Sequence, residues 1–302
     1  MTSLGNKFRG NTAIVTFDEF ERFIGVTALT TGNTNSPGSF NGCTNLTSIK
    51  FPHSIKSLQN RSFSNCKNLK IDVFIPNLES IGDGAFLNTS IKRVLNLGNI
   101  TNIPGGSNIT DTGTFNGCTS LIEFVCPETV TSIGQNAFRG CKSLSSFNMP
   151  TALTKLAEEA FYNCTSIVIE DLSLPNLTSL GQNAFYGVKI KKMMLGSNDM
   201  SLTLPTGSFS TQNFGDKSVL EEVELHGVTI IPNYCFNGYT CSILVDFANV
   251  TSVGYLAFYR ANFLNTEINL ASAQSLGGAT FAFSNITKVV SLGEVTQINA
   301  QA

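Results

Sequence analysis

The chain has two histidines, His53 and His226, in 302 residues. A protein that activates a Ser or Cys nucleophile usually places an imidazole beside it. Here each histidine directly follows a short strand-like run, behind Phe51-Pro52 and Leu225 respectively. About seven repeat units separate them, roughly 30 Å if the units stack at the strand spacing, so they cannot share one site. The carboxylate neighbours Glu158-Glu159, Glu170-Asp171 and Glu221-Glu222 could suggest acid–base work. Adjacent residues on a strand face opposite sides, however, and such pairs read as solvated charge. Eight cysteines include no Cys-x-x-Cys pair, which removes zinc-ribbon and thioredoxin-like chemistry. Gly105-Gly106 and Gly277-Gly278 lack the following lysine and the spacing of a phosphate loop, and read as turns. Asn45-Leu46-Thr47 and Asn163-Cys164-Thr165 read as solvated turn residues rather than glycan acceptors. No catalytic, cofactor-binding or metal-ligating constellation is expected, and the chain is expected not to be an enzyme.

The elements that carry these residues repeat. A signature of apolar-Thr/Ser-x-Ile/Leu, followed five residues later by Phe, recurs as Leu78–Ile81 with Phe86, Val130–Ile133 with Phe138, Leu153–Leu156 with Phe161 and Leu177–Leu180 with Phe185. The final residues of the copies are Leu29, Leu58, Ile81, Ile103, Ile133, Leu156, Leu180, Leu204, Ile231, Val253, Leu276 and Ile298, mostly 22 to 24 apart. Larger spacings arise from polar insertions, Thr30 to Ser39 and Pro104 to Thr114, which read as loops on one edge. After the Phe comes a second element, Phe-x-x-Cys-x-x-Leu, as in Phe40–Leu46 and Phe138–Leu144, whose threefold spacing predicts one turn of helix or 3-10 helix. Five cysteines, Cys43, Cys66, Cys118, Cys141 and Cys164, share this slot and read as small buried thiols. A period-2 strand follows, as in Ser48-Ile49-Lys50-Phe51, and Pro52 ends it.

This pattern resembles the BspA-like leucine-rich-repeat family. The stretch Leu121 to Leu144, containing Val130-Thr131-Ser132-Ile133-Gly134-Gln135-Asn136-Ala137-Phe138-Arg139-Gly140-Cys141, carries the resemblance almost throughout. The likeness spans residues 26 to 298 and departs at Thr89, at Val188, after Phe209 and over Phe258–Asn262. It implies an α/β-type repeat solenoid, a right-handed leucine-rich-repeat stack with a parallel β-sheet face and short helical or 3-10 turns. One repeat cannot bury its own Phe, Leu and Ile, so neighbours must share a core.

Residues 1–25 are expected to cap that core. Thr16-Phe17-Asp18-Glu19 fits a capping box, and Phe17, Phe20, Phe23 and Ile24 form a helical stripe, which together predict a capping helix over about 17–24. Residues 26–302 form the solenoid of about 11–12 repeats. Its last copy stops short of its Phe, which suggests an excerpt of a longer chain, or contact with another chain or domain at the C-terminal end.

The alternate, outward strand positions are the candidate partner-binding residues: Ser48, Lys50, Asp72, Phe74, Glu123, Val125, Ser146, Asn148, Lys192, Met194, Glu222 and Glu224, with Asp171, Ser173, Glu267 and Asn269 continuing the series. The inserted loops at 30–39 and 104–114 are second candidates. With 19 Lys+Arg against 21 Asp+Glu, a net charge of −2 and no basic run, the sequence lacks the electrostatic footprint of a nucleic-acid binder. No apolar run is long enough for membrane insertion, and the first residues lack a secretion-signal pattern. The resemblance implies a non-catalytic binding or adhesion protein of bacterial surface type, without cofactor, that meets a protein or glycan on a host or bacterial surface. The alternative expectation is a structural or receptor-facing component of a phage tail or other assembly, virion-associated.

Overall fold

The period-2 and Phe-centred patterns fold as stacked parallel coils. A computed structural model describes residues 3–29, 38–106, 112–206 and 219–298. The chain divides into two units, Met1–Leu153 with Ala157–Ile167, and Thr154–Leu156 with Val168–Ala302. Each coil contributes two strand rows. In the first unit the signature row runs through Ala28–Leu29, Ser57–Leu58 and Ser80–Ile81, and again through Asn102–Ile103 and Ser132–Ile133, paired in parallel and in register. The second row runs through Asp72–Phe74, Arg93–Asn96, Glu123–Phe124 and Ser146–Phe147. In the second unit the wider row has five parallel strands: Val168–Leu174, Lys189–Leu195, Glu222–Leu225, Ser242–Val245 and Asn262–Phe263. Its signature row pairs Ile230–Ile231, Ser252–Val253, Ser275–Leu276 and Gln297–Ile298.

Between the two rows each coil turns around its Phe. In the first unit Phe8, Phe40, Phe63, Phe86, Phe115, Phe138 and Phe161 form one column, with successive ring centroids 5.1–5.6 Å apart and planes within 10° of parallel. A second column, Phe124 stacked on Phe147 at 5.4 Å, meets it edge to face at 4.8–5.2 Å. Both are favoured aromatic geometries. Phe236, Phe258 and Phe281 continue the same arrangement within the second unit at 5.4–5.5 Å.

After the Phe the chain makes i→i−3 turns, the hydrogen-bond spacing of a 3-10 turn, that do not extend into a helix. The reason is conformational: a residue two positions after each Phe is left-handed, which interrupts any helix. In the first unit that position is always Gly or Asn, from Gly10 (φ 68°) through Gly42, Asn65, Asn88, Gly117 and Gly140 to Asn163 (φ 61°). A second left-handed residue often precedes the Phe by two, as at Asn136 (φ 58°). The bracket aims alternate N–H groups along the stack. Arg61, Phe63 and Asn65 donate to Asp83 O, Ala85 O and Leu87 O of the next coil at 2.7–2.8 Å, while Ala85 and Leu87 donate back within their own coil to Gly82 O and Gly84 O. From Arg61 to Asn65 every backbone N–H is used, Ser62 and Ser64 donating within their own coil to Gln59 O and Arg61 O. The coils approach so closely that a Cβ on Gly82 would lie 2.2 Å from Asn60 N.

The cysteine slot completes this accounting. The thiols of Cys43, Cys66, Cys118, Cys141 and Cys164 each donate to the carbonyl of the preceding coil's Phe at 2.9–3.2 Å. Where Thr89 replaces cysteine, its hydroxyl bonds Phe86 O at 2.9 Å. All eight cysteines are buried as thiols.

The N-terminus departs from the expected cap. Instead of an α-helix over 17–24, residues Asp18–Arg22 form a single 3-10 turn, and its N-cap residue, Phe17, makes no capping bond. Thr16 is unavailable as a cap because Thr16–Phe17 is a strand paired with Ser48–Ile49. Only Phe20 of the stripe is fully buried; Ile24 is 82 % exposed. Residues 3–17 are themselves a coil. Ser3 bridges to Ala28, Leu4 is buried, Phe8 stacks on Phe40, and Gly10 N donates to Asn41 O at 2.7 Å.

Replacing Phe138 with Ala should lower the unfolding free energy by about 3–5 kcal/mol, since its fully buried ring is sandwiched between Phe115 and Phe161. Phe74→Ala, at a 52 % exposed position, should change it by less than about 0.5 kcal/mol. Guanidinium unfolding of the two variants checks both. Burial pushes the Cys118 thiol up to about 11 and the Cys126 thiol up to about 12. Folding therefore favours the neutral thiols; that stability is full below their unfolded value near 9 and is lost as pH rises toward 11–12. A thiol-reactive chromophore should label none of the eight cysteines at pH 8 until denaturant is added, and urea midpoints should fall between pH 8 and pH 11.

Candidate functional site

On a half-buried strand, inward residues anchor the sheet and outward ones are free to vary. In the first unit Val73, Val94 and Phe124 point into the core. Asp72, Arg93, Glu123 and Ser146 stand in register on the outer side. Arg93 grips Asp72 with two bonds, Nε to Oδ1 at 3.1 Å and Nη2 to Oδ2 at 2.5 Å. The Asp72 hydrogen bonds and charge hold the guanidinium pKa above its ordinary value. Beside this charged row lies an apolar one: Phe74 is 52 % and Val125 42 % exposed, with Leu95 half-buried between their strands.

A shallow cleft of about 290 Å³ opens at the ends of these strands, lined by Leu95, Asn96, Val125, Cys126, Glu128 and Asn148 among others. Its wall is built by one amide. Asn148 Oδ1 accepts from Cys126 N at 2.8 Å, and Asn148 Nδ2 donates to Cys126 O at 2.9 Å and to Glu128 Oε1 at 3.2 Å. The side chain thus stands in for the backbone partner that Cys126 lacks where the strand ladder ends.

The twelve candidate residues fall into three groups rather than one face. Ser48 and Lys50 lie at the first strand pair, where Ser48 Oγ bonds Asp18 and Lys50 sits 3.8 Å from Glu21. Asp72, Phe74, Glu123 and Ser146 share one four-stranded sheet, with Val125 and Asn148 one position past the ends of their strands. Lys192, Met194, Glu222 and Glu224 share the five-stranded sheet of the second unit with Asp171 and Ser173. There Lys192 pairs with Glu222 at 3.3 Å and Lys191 with Glu170 at 2.6 Å. Glu267 and Asn269 stand on a separate two-stranded pair, Glu267 bonded to Lys288 at 3.1 Å.

Sequence reasoning missed Arg93 and Leu95, although the alternation of Arg93-Val94-Leu95-Asn96 was visible. It also missed that Glu224 and His226, two apart on a strand and so on one face, hydrogen-bond at 2.7 Å. Glu224 Oε1 is the hydrogen-bond partner of that imidazole among the described residues. His53 is exposed, and its carbonyl accepts from Asn77. Of the glycan-acceptor triplets, Asn45 already donates its amide to Thr12 O at 2.8 Å. The inserted loops fall largely on 30–37 and 107–111, outside the described residues. Among the described residues no group of three His, Cys, Asp or Glu is placed to hold a metal ion, and no helix is long and apolar enough to cross a membrane.

Coils of this length, sharing a Phe column and paired edge to edge by parallel strands, make each unit a leucine-rich-repeat solenoid. A family profile described as BspA type Leucine rich repeat region (6 copies) matches residues 15–108, 99–213 and 207–302, and the chain belongs to that family. Among solved structures it is similar to a leucine-rich repeat protein from Bacteroides ovatus, at 19 % identity and TM-score 0.49, covering 94 % of this chain and 80 % of that one. It is also similar to a leucine-rich repeat protein from Eubacterium ventriosum, at 16 % identity and TM-score 0.43, over 88 % and 82 % of the two chains. A leucine rich cell surface protein from Faecalibacterium prausnitzii is similar at 15 % identity and TM-score 0.35, over 93 % and 86 %. No curated protein matches in sequence.

Asn148→Ala should cost about 1–3 kcal/mol, because it strands the Cys126 N–H and C=O in a partly buried place. Asn148→Asp should cost at least as much, since a carboxylate would face Cys126 O and Glu128. Calorimetric unfolding of the two variants at neutral pH checks the order.

Proposed function

We propose that the chain is a non-enzymatic binding protein of surface type, which uses the first unit's four-stranded sheet to hold a protein or glycan on a host or bacterial cell. The observation that supports this reading is the exposure of Phe74 and Val125 beside a paired charge row and a shallow cleft, on a backbone fixed by hydrogen bonds from both neighbouring coils. Exposed apolar side chains on a rigid, mixed-polarity face are the usual anchors of recognition, whereas scattered single ones are not. The charges do not need a highly charged ligand, because Asp72–Arg93 and Lys192–Glu222 neutralise one another. Membership of the repeat family accords with a surface role. An electrostatic, phosphate-based partner is disfavoured by the net charge of −2.

The test is saturable binding of the labelled full chain to bacterial and epithelial cells. The double variant Phe74→Ser, Val125→Ser should weaken binding tenfold or more, about 1.4 kcal/mol, with an unchanged Tm. Binding equal to the parent would remove the sheet from the reading. Hydrolytic turnover abolished by His226→Ala would remove the non-enzymatic part.

A further inference from the structure

In the second unit one strand row breaks, and the break leaves main-chain groups open. On one side Ser242–Val245 pairs with Glu222–Leu225 along its whole length. On the other it pairs with Asn262–Phe263 through Ser242 and Ile243 alone. At the spacing that sets Ile243 opposite Phe263, Val245 would meet residue 265. There the chain turns outward instead: Leu264 and Asn265 are exposed, and Asn265 Oδ1 accepts from Glu267 N at 3.2 Å where a new strand begins. That strand, Glu267–Leu270, has Lys288–Leu292 as its one strand partner among the described residues.

Successive residues of a parallel strand bond to opposite neighbours. Ser242 N and Asp246 N donate to Glu221 O and Leu225 O, so the main-chain groups of Ile243, Val245 and Phe247 face the broken side. Ile243 O accepts from Leu264 N at 2.9 Å. Beyond it, the N–H and C=O of Val245 and the N–H of Phe247 have no hydrogen-bond partner among the described residues. Val245 is 8 % and Phe247 6 % exposed, and main-chain groups so buried are seldom left unpaired. Elsewhere an amide closes such a break. Asn148 does so for Cys126, and Asn285 does so for Phe263, bonding its N–H at 2.6 Å and its C=O at 2.9 Å. Among the described residues no side chain does this for Val245.

The open groups line a cleft of about 270 Å³ between the two strands, whose charged residues are Asp246 and Glu267. Glu267 is paired with Lys288 at 3.1 Å. Asp246 Oδ1 accepts from Ala248 N at 2.9 Å, and its carboxylate has no ion-pair partner among the described residues.

We propose that this cleft takes an extended peptide segment of a partner protein, which adds as a strand along Val245–Phe247 and sets a lysine or arginine against Asp246. An extended backbone presents acceptor, donor and acceptor at the spacing that the open N–H, C=O and N–H require. Its alternate side chains fall beside Val245 and Phe247, which calls for apolar residues there, and beside Asp246, which calls for a cation. A sugar would lack a stacking platform, because Phe247 and Phe263, the aromatic residues of the lining, are buried. The site is separate from the first unit's sheet, so this proposal and the reading above can fail separately.

The probe is a capped hexapeptide of alternating Val and Lys, titrated to about 1 mM into the isotope-labelled full chain. Saturable binding should slow hydrogen exchange at the Val245 and Phe247 amides about tenfold or more. Asp246→Asn keeps an oxygen for Ala248 N, and should weaken binding about fivefold with an unchanged Tm. Phe74→Ser with Val125→Ser should leave the affinity as it is. The same peptide N-methylated at every residue keeps its charge and side chains but loses its donors, and should not bind. It leaves the protein untouched, so it decides the matter if Asp246→Asn does not fold. No saturable binding, binding that leaves the two amides unprotected, equal binding by the N-methylated peptide, or binding unchanged in Asp246→Asn overturns the proposal. So does protection of the two amides by calcium chloride or cellohexaose in place of the peptide.

Discussion

The constraint on which each unit depends is that a coil must hand its backbone hydrogen bonds to the next coil at the Phe turn as well as at the two strand rows. A strand pair alone would leave the intervening turn polar and unsatisfied against an aromatic column, and a buried unpaired peptide group costs about as much as several aromatic contacts return. The left-handed bracket solves this. Once alternate N–H groups point along the stack, the Phe between them points inward, and its ring falls on the ring of the preceding coil. Hydrogen bonding and aromatic stacking are therefore consequences of one local conformation.

The cysteine slot follows from the same geometry. The Phe carbonyl already accepts the backbone N–H three residues on, as Cys43 N does to Phe40 O, and its second lone pair faces the next coil. A thiol is small and apolar enough for a fully buried site and can still donate weakly to that oxygen. Thr89 offers a stronger donor and bends back to its own coil's carbonyl instead. Val188 and Ala261, both buried, fill the slot without donating, which places packing ahead of the S–H bond in importance.

The repeat, its register and its inward residues were legible because burial forces the same side chains into the same slot in coil after coil. What the sequence obscured has physical causes. The first coil steps four residues rather than five from Leu4 to Phe8 and carries Asn11 in place of cysteine, so a search for the signature passes over it. The stripe Phe17, Phe20, Phe23 and Ile24 has helical spacing, but Phe17 is committed to a strand and Phe23 and Ile24 are exposed, so periodicity there reported aromatic packing rather than a helix. Of the outward residues, Lys50, Val125 and Asn148 lie one position past the ends of their strands, and alternation says nothing of where one sheet ends and the next begins. The Asn148–Cys126 contact, in which a side chain replaces a strand, has no counterpart in a period-2 pattern.

Because inward positions and turn residues are fixed by the stack, information about a ligand can reside only where a residue is freer than the fold needs or costlier than the fold allows. On the four-stranded sheet the first condition holds: any polar residue would satisfy position 74 or 125, and Phe and Val stand there. Charge carries less, since register sets Asp72 opposite Arg93 and Lys192 opposite Glu222, and exposed pairs of this kind contribute little to stability. Their effect is to keep each face near neutral, so that a partner is selected by shape and by apolar and hydroxyl contacts rather than drawn in by long-range attraction.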